Sequence, residues 1–360
     1  MSIGYVGRPI PRKEDARLLR GRGRYTGDVQ LPGALEAAVL RSPFAHARIV
    51  GIDSSAAKKL DGVFDVLSAA DLEGNVHPFT RPFYAKVHPA VLADTGLEMR
   101  PYRAPLLAQE KVLRVGEPVA LVLATDRYVA EDALELIEVE YDPLEVVVDP
   151  ERALESDAPV VHPDFGDNVH ARFRTSRGDV EAAFGSAPHV LRERYHTHRN
   201  VGVPMETRGI VAEFDAGRRE LMVWAANQRP HLLRTYLSEM PSLPEESVRV
   251  VCPDMGGSFG GGIYNEEILV AYASKRTAKP IRWIEDRGEN LLNARHSRDQ
   301  IHHVEVAFDD SGQVLALKDR FLVDTGAYNP FTITLSFNTA AHLRGQFRID
   351  VFDIEAVNVV

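Results

Sequence analysis

The run GGSFGGG, residues 256–262, constrains the chain more than any other stretch. Nearly all of its positions carry almost no side chain. Glycine in such density costs conformational entropy, so it fits only where backbone must turn tightly or be approached closely. The preceding VRVVC is β-branched and reads as a strand. The following NEEILVAYASKR reads as a helix, with Asn265 as N-cap and Ile268, Ala271 and Tyr272 on one face. A strand, a glycine loop and a helix start together aim main-chain N–H groups and a helix dipole at an anion. Spacing excludes two such loops: no G-K-[ST] closes this one as a P-loop, and its glycines do not fall as G-x-G-x-x-G. Glu266 and Glu267 in the first helical turn also oppose a large phosphate at that helix end. Taken alone, the loop is more plainly read as a turn that lets a strand and a helix pack closely.

The rest of the chain alternates strand and helix signals. GALEAAVLRSPFAHARIVGID reads as strand, loop, strand; SSAAKKL as a short helix capped by Ser54 or Ser55; GVFDVLS as a strand. After a polar, proline-rich excursion, GEPVALVLAT reads as a buried strand. DRYVAEDALELI then reads as a helix capped by Thr125 or Asp126, with Val129, Ala133 and Ile137 on one face. Pro9 and Pro11 make residues 1–16 an extended arm, and residues 150–168, proline-rich and polar, read as a linker. The alternating runs on either side of Asp310-Ser311-Gly312 predict a hairpin. The fold class expected is α+β (mixed α/β), with one domain over 17–149 and a second over 169–360.

The formal net charge of -10, with Lys and Arg spread along the chain and no basic block interleaved with aromatics, argues against nucleic acid as a partner. Cys252 is the only cysteine, which excludes an internal disulfide framework and a cysteine-ligated iron–sulfur cluster within this chain. No apolar run approaches the roughly 18 residues needed to span a bilayer, and the N-terminus has no apolar core of a secretory signal. A cytoplasmic protein with no membrane partner is expected.

Six segments occur in a telling order: VPMETRG, WAANQRPH, DMGGSFGG, KPIRWIEDRGEN, HVEVAFDDSG and DTGAY. Together they resemble the molybdenum-cofactor subunit of the xanthine dehydrogenase/aldehyde oxidase family, including aerobic CO dehydrogenase-like members. The earlier GRYTGDVQLPGALEAAVLRSPFAHARIVGID and GEPVALV segments resemble that family's α/β hammerhead domain. The resemblance implies a hammerhead domain over 17–149 and a first molybdopterin-binding domain over 169–360. It implies a molybdopterin-type molybdenum cofactor held by hydrogen bonds, with no direct protein ligand to the metal. Phe259 matches the residue whose main-chain amide lies beside the metal's oxo group, and Gln228 matches the glutamine that donates to the apical oxo. Gly257, Ser258 and Gly260 complete the cofactor loop, and Glu206 falls behind the cofactor or along the substrate channel. Gly262 replaces the family's usual lysine, and Ile263 stands where xanthine-oxidising members carry a substrate-binding glutamate, so purine oxidation is not expected.

The resemblance further implies what this stretch lacks. The family's later arginine-containing loop, second cofactor domain and general-base glutamate have no counterpart before Val360. The expectation is therefore an N-terminal half of a split subunit, with no catalytic residue of its own. Its partners would be a C-terminal molybdenum-subunit chain, a [2Fe–2S] subunit, an FAD subunit and a small-molecule aldehyde or N-heteroaromatic substrate. A non-catalytic assembly scaffold or a truncated fragment is the alternative.

Other motifs have plainer accounts. Asp324 in DTG would fit an aspartic protease only with a later apolar-apolar-Gly segment, which is not evident, and the chain is far too long for the one-motif dimeric form, so a turn-capping carboxylate is expected. His196 and His198 share a strand face with no third ligand nearby, which favours a solvated face over a metal. Glu206 could pair with Arg208 or with a partner's arginine, and Arg287 and Glu289 read as a charged turn after a strand.

Overall fold

A stretch such as PVALVLA, apolar at every position, short and rich in β-branched valine, suits a strand covered on both faces. In a computed structural model of the chain, which describes residues 4–72, 95–100, 104–240, 243–328 and 332–360, it is buried throughout. The proline-rich excursion after GVFDVLS lies mostly outside the described residues. In chain order the main elements are β1 (Leu35–Arg41), β2 (Ala47–Asp53), β3 (Val63–Leu67), β4 (Pro118–Ala124), α1 (Arg127–Glu135) and β5 (Glu138–Pro143). Next come β6 (Val169–Arg177), α2 (Val180–Ser186), β7 (His189–Thr197), β8 (Gly209–Asp215), β9 (Glu220–Ala225), α3 (Pro230–Leu237) and β10 (Val248–Val251). The last are α4 (Asn265–Thr277), β11 (Ile281–Ile284), α5 (Arg287–Asn293), β12 (Gln300–Phe308), β13 (Val314–Asp324), α6 (Thr332–His342) and β14 (Phe352–Val359).

The chain forms two compact units, each discontinuous in sequence: Met1–Glu36 with Pro204–Asp286, and Ala37–Val203 with Arg287–Val360. In the first, β9 pairs with β10 in parallel and with β8 antiparallel, β8 pairs antiparallel with β11, and β11 meets Leu35 and Glu36 in parallel. Helix α4 lies on β8, and burial takes in almost its whole circumference, from Glu266 to Ser274. That is why its sequence shows only a weak apolar stripe.

The second unit contains a sheet ordered β6-β14-β13-β12-β7, antiparallel except for the β14–β13 pair. Phe173, Phe321 and Ile354 from its strands pack with Ile333 and Ala340 of α6. The hairpin between β12 and β13 turns as read: Asp309 Oδ1 accepts from the N–H groups of Ser311 and Gln313, and Gly312 takes φ +83°. Strands β3 and β4 pair antiparallel, and α1 sets Ala130 and Ala133 against Val66, Ala120 and Val122. The segment between β5 and β6 is well packed, because Asn168 is fully buried and donates to the carbonyls of Ala153 and Pro159.

Some local readings change. No serine caps the turn after β2; Ser55 N–H instead donates to Asp53, and only a 3-10 turn over Ala57–Lys59 forms. Arg287 and Glu289 belong to α5, not to a turn, with Glu289 accepting from Arg41 Nε at 2.8 Å and Arg287 donating to Asn290 at 2.7 Å. Of the two cap candidates for α1, Asp126 is the cap, accepting from the N–H groups of Tyr128 and Val129 at 2.9 and 3.0 Å. Asp126→Ala should therefore lower the unfolding free energy by about 1 kcal/mol, read from urea denaturation monitored by circular dichroism.

Candidate functional site

The glycine loop lies in the first unit, and its glycines do different work. Gly256 is pressed against Glu206: a Cβ there would fall 2.4 Å from Glu206 Cβ and 3.1 Å from its main-chain nitrogen. At Gly257, φ is +116° and Pro204 Cβ would be 3.0 Å away. Gly261 closes a turn on Ser258, donating to its carbonyl at 2.8 Å. Gly260 differs: φ is +97°, yet a Cβ would meet nothing within 4 Å. Beside it Phe259, at φ +48° and 76% exposed, takes a backbone conformation that costs an L-residue of order 1 kcal/mol.

The amides around this turn divide sharply. The Gly256 N–H is spent on Glu206 Oε2 at 2.7 Å and the Gly261 N–H on Ser258. Those of Gly257, Ser258, Phe259 and Gly260 donate to no acceptor among the described residues. Four consecutive unspent donors on a glycine-bordered turn are the main-chain groups that an anionic ligand could engage.

Gln228 is exposed just past the end of β9. Its position is fixed by Asn227, a residue that the sequence reading passed over. Asn227 is buried; its Nδ2 donates to the Gly262 carbonyl at 3.3 Å, and its Oδ1 accepts from Arg229 N–H at 2.7 Å. The Cys252 thiol donates to the Asn227 carbonyl, and burial pushes that thiol's pKa up. The signal was its place beside Gln228, before a helix that starts at Pro230. Ile263 is fully buried beneath the loop.

The helix end that follows is not an anion site, because the protein fills it. The N-cap is Tyr264, not Asn265, and Glu267 reaches back to accept its N–H at 2.8 Å. Glu206 does not pair with Arg208. The Arg208 guanidinium instead binds Glu285 Oε1 from Nε at 3.0 Å and Glu266 from Nη1 at 3.1 Å, with its centre 3.9 Å from the Tyr264 ring. Burial works against this charge, but Glu266 and Glu285 outweigh it and hold the guanidinium protonated. Glu267 is raised to about 7, mainly by burial, with Arg208 opposing and neighbouring Glu266 adding.

The remaining candidates resolve as structure. Asp324 caps the turn, accepting Gly326 N–H at 2.8 Å, and pairs with Arg199. His196 bonds Asp299 at 2.8 Å and lies 4.3 Å from the His198 ring; no metal-binding group occurs among the described residues. No helix among the described residues is long and apolar enough to cross a membrane.

Residues 161–360 match the family model of the molybdopterin cofactor-binding domain, and residues 20–145 match that of the aldehyde oxidase and xanthine dehydrogenase a/b hammerhead domain. The chain belongs to the xanthine dehydrogenase/aldehyde oxidase family. It is 40% identical to the nicotine 6-hydroxylase large subunit of Paenarthrobacter nicotinovorans, over 90% of this chain and 38% of that one. It is also 40% identical to the carbon monoxide dehydrogenase large chain of Afipia carboxidovorans, over 88% of this chain and 39% of that one. The crystal structure of quinoline 2-oxidoreductase from Pseudomonas putida 86 superposes with a TM-score of 0.90 and 38% identity, over 98% of this chain and 44% of that one. The chain thus spans less than half the length of these relatives. The family fold is the mixed α/β one that the residue patterns predict, with the hammerhead and cofactor-binding domains that the resemblance implies.

Two outcomes follow from the site. Glu267 has a raised pKa in the fold, so the stability it contributes is complete below about 4.5 and is lost as pH rises through about 7. Glu267→Gln keeps the acceptor for Tyr264 N–H and should flatten the fall in urea midpoint between pH 5 and pH 8. Gly256→Ala should destabilise by about 1–3 kcal/mol through the clash with Glu206, whereas Gly260→Ala should cost only the backbone term of about 1 kcal/mol; paired thermal melts compare them.

Proposed function

We propose that this chain supplies one wall of the molybdenum-cofactor site of a multi-chain hydroxylase. The enzyme would oxidise an aldehyde or N-heteroaromatic substrate with oxygen derived from water. Electrons would leave through [2Fe–2S] clusters to FAD on partner subunits. The observation that carries this is the set of four amides, from Gly257 to Gly260, that are open while both flanking amides are spent within the protein. The printed names of the relatives, nicotine 6-hydroxylase and quinoline 2-oxidoreductase, support a nitrogen heterocycle as substrate class.

When bound, the molybdopterin-type cofactor supplies the two-electron redox centre that no side chain can provide. The chain's own residues bind and orient. Phe259 and Gly260 offer main-chain N–H donors, held in place before any ligand arrives, so little reorganisation opposes them. Gly257 and Ser258 extend that donor row, and Gln228 adds a side-chain amide from the end of β9. No residue of this chain is given the role of general base; that glutamate belongs to the C-terminal molybdenum-subunit sequence, on a partner chain. In this reading residues 1–16 are an arm, 17–149 the hammerhead domain, 150–168 a linker and 169–360 the first cofactor-binding domain. The single cysteine supports a reducing, cytoplasmic setting, with the iron–sulfur clusters held elsewhere.

The test is the complex purified through a tag on this chain from its own host. Close to one molybdenum and one pterin per copy, with flavin and iron–sulfur subunits present and an N-heteroaromatic oxidised with a dye acceptor, is the expected result. Gln228→Leu should then lower kcat by about 100-fold while molybdenum content stays constant, as loss of one oriented donor does. A metal-free chain without turnover would sink the hydroxylase and leave an assembly scaffold.

A further inference from the structure

The stretch Arg17–Thr26, an arm that continues from residues 1–16, is not a loose leader to the glycine loop but its fixed backing. Two carboxylates make the connection. Asp254, at the loop's entrance, takes the Arg17 guanidinium on both oxygens, with Nη2 at 2.7 Å from Oδ1. It also accepts the Arg24 N–H at 2.8 Å, and its own N–H donates to the Arg24 carbonyl at 2.9 Å. Arg17 and the Arg24 amide hold the Asp254 carboxyl well below the usual carboxylate range. Two residues on from Asp254 comes Gly256, where Glu206 spends one oxygen on each side: Oε2 accepts Gly256 N–H at 2.7 Å, and Oε1 accepts Thr26 N–H at 3.2 Å. Thr26 is itself buried, with 1% exposure, so the arm is anchored where Glu206 meets it.

This pattern ends where the open amides begin. Asp254 and Gly256 are tied to the arm directly or through Glu206, while Gly257 to Gly260 make no such bond. A row of donors is selective only if its spacing is held, and loops rich in glycine do not hold spacing by themselves. We propose that Arg17–Thr26 is the backstop that fixes the cofactor loop, and that Glu206 is the positioning residue coupling arm to loop. This rests on the reading of the loop as a cofactor cradle. Glu206 acts on the cofactor through Gly256, not as a wall of the substrate route.

The chemistry of the bridge gives a sharp test. Two N–H donors converge on two carboxylate oxygens, and a glutamine has one acceptor oxygen and one NH2. Glu206→Gln therefore sets donor against donor at either Thr26 or Gly256. A second variant leaves Glu206 intact: Thr26 is the first residue of a 3-10 turn after extended Tyr25, a position where proline is accommodated. Thr26→Pro removes only that N–H from the bridge.

Both variants would be made in the intact tagged complex and followed by hydrogen exchange with mass spectrometry, alongside molybdenum loss on prolonged dialysis. Exchange should rise about tenfold in peptides covering 24–28 and 254–257 together, the remainder of the chain staying protected, and molybdenum should dissociate about tenfold faster with KM unchanged. Thr26→Pro should loosen 254–257 although the substitution lies in the arm. Exchange at 254–257 that stays at the wild-type rate in Thr26→Pro overturns the coupling, and so does a KM increase at full molybdenum content in Glu206→Gln. If the wild-type complex carries no molybdenum, the cradle reading fails, while exchange still decides whether the arm and loop are coupled.

Discussion

One guanidinium underlies the geometry of the candidate site. Arg208 directly precedes β8, Glu285 directly follows β11 and Glu266 stands in the first turn of α4, so their ion cluster joins three elements at one buried point. A charge removed from water tolerates few arrangements, because a missing partner leaves an uncompensated ion at a cost of about 3–5 kcal/mol. The Tyr264 and Trp283 rings flank the guanidinium and shield it from solvent. The start of α4 is thereby fixed in direction, and the glycine loop between β10 and α4 inherits a fixed exit.

With that exit fixed, glycine serves the loop in two ways. Gly256 and Gly261 are packing glycines, since a Cβ would strike Glu206 or Ser258. Gly260 is free of neighbours and is glycine for its backbone conformation alone. Contact with protein and openness to a ligand thus alternate within a few residues. The packing account of a glycine cluster holds at the loop's edges, while the amides at its centre bond to nothing among the described residues.

Much of the fold was legible because burial follows pattern. The uniformly apolar PVALVLA gave a covered strand, Asp126 a helix cap, and DDSG a hairpin turn. The misread parts share a cause: short polar side chains choose among nearby backbone donors, and sequence does not say which. Asn265 and Ser55 were plausible caps displaced by Tyr264 with Glu267 and by Asp53. Glu206 and Arg208, two residues apart, would share a face of a regular strand, yet the chain bends at Met205 and Glu206 and each has its own partners. Asn227 and Asp254 were invisible for a further reason, because their bonds join segments far apart in sequence. The reading of the loop and Gln228 as a cofactor site rests on motif order.

The discontinuity of the first unit has a consequence during synthesis. Its sheet takes in Leu35 and Glu36, yet the strand they pair with, β11, is not made until residue 281. At 5–20 residues per second, the intervening 37–203 alone occupy the ribosome for on the order of 10–30 s. Throughout that interval Arg17, Arg24 and Thr26 have emerged without Asp254 or Glu206 to receive them. Arg17, Arg24 and Thr26 therefore wait for their partners, open to chaperones or assembly factors, until the glycine loop has been translated.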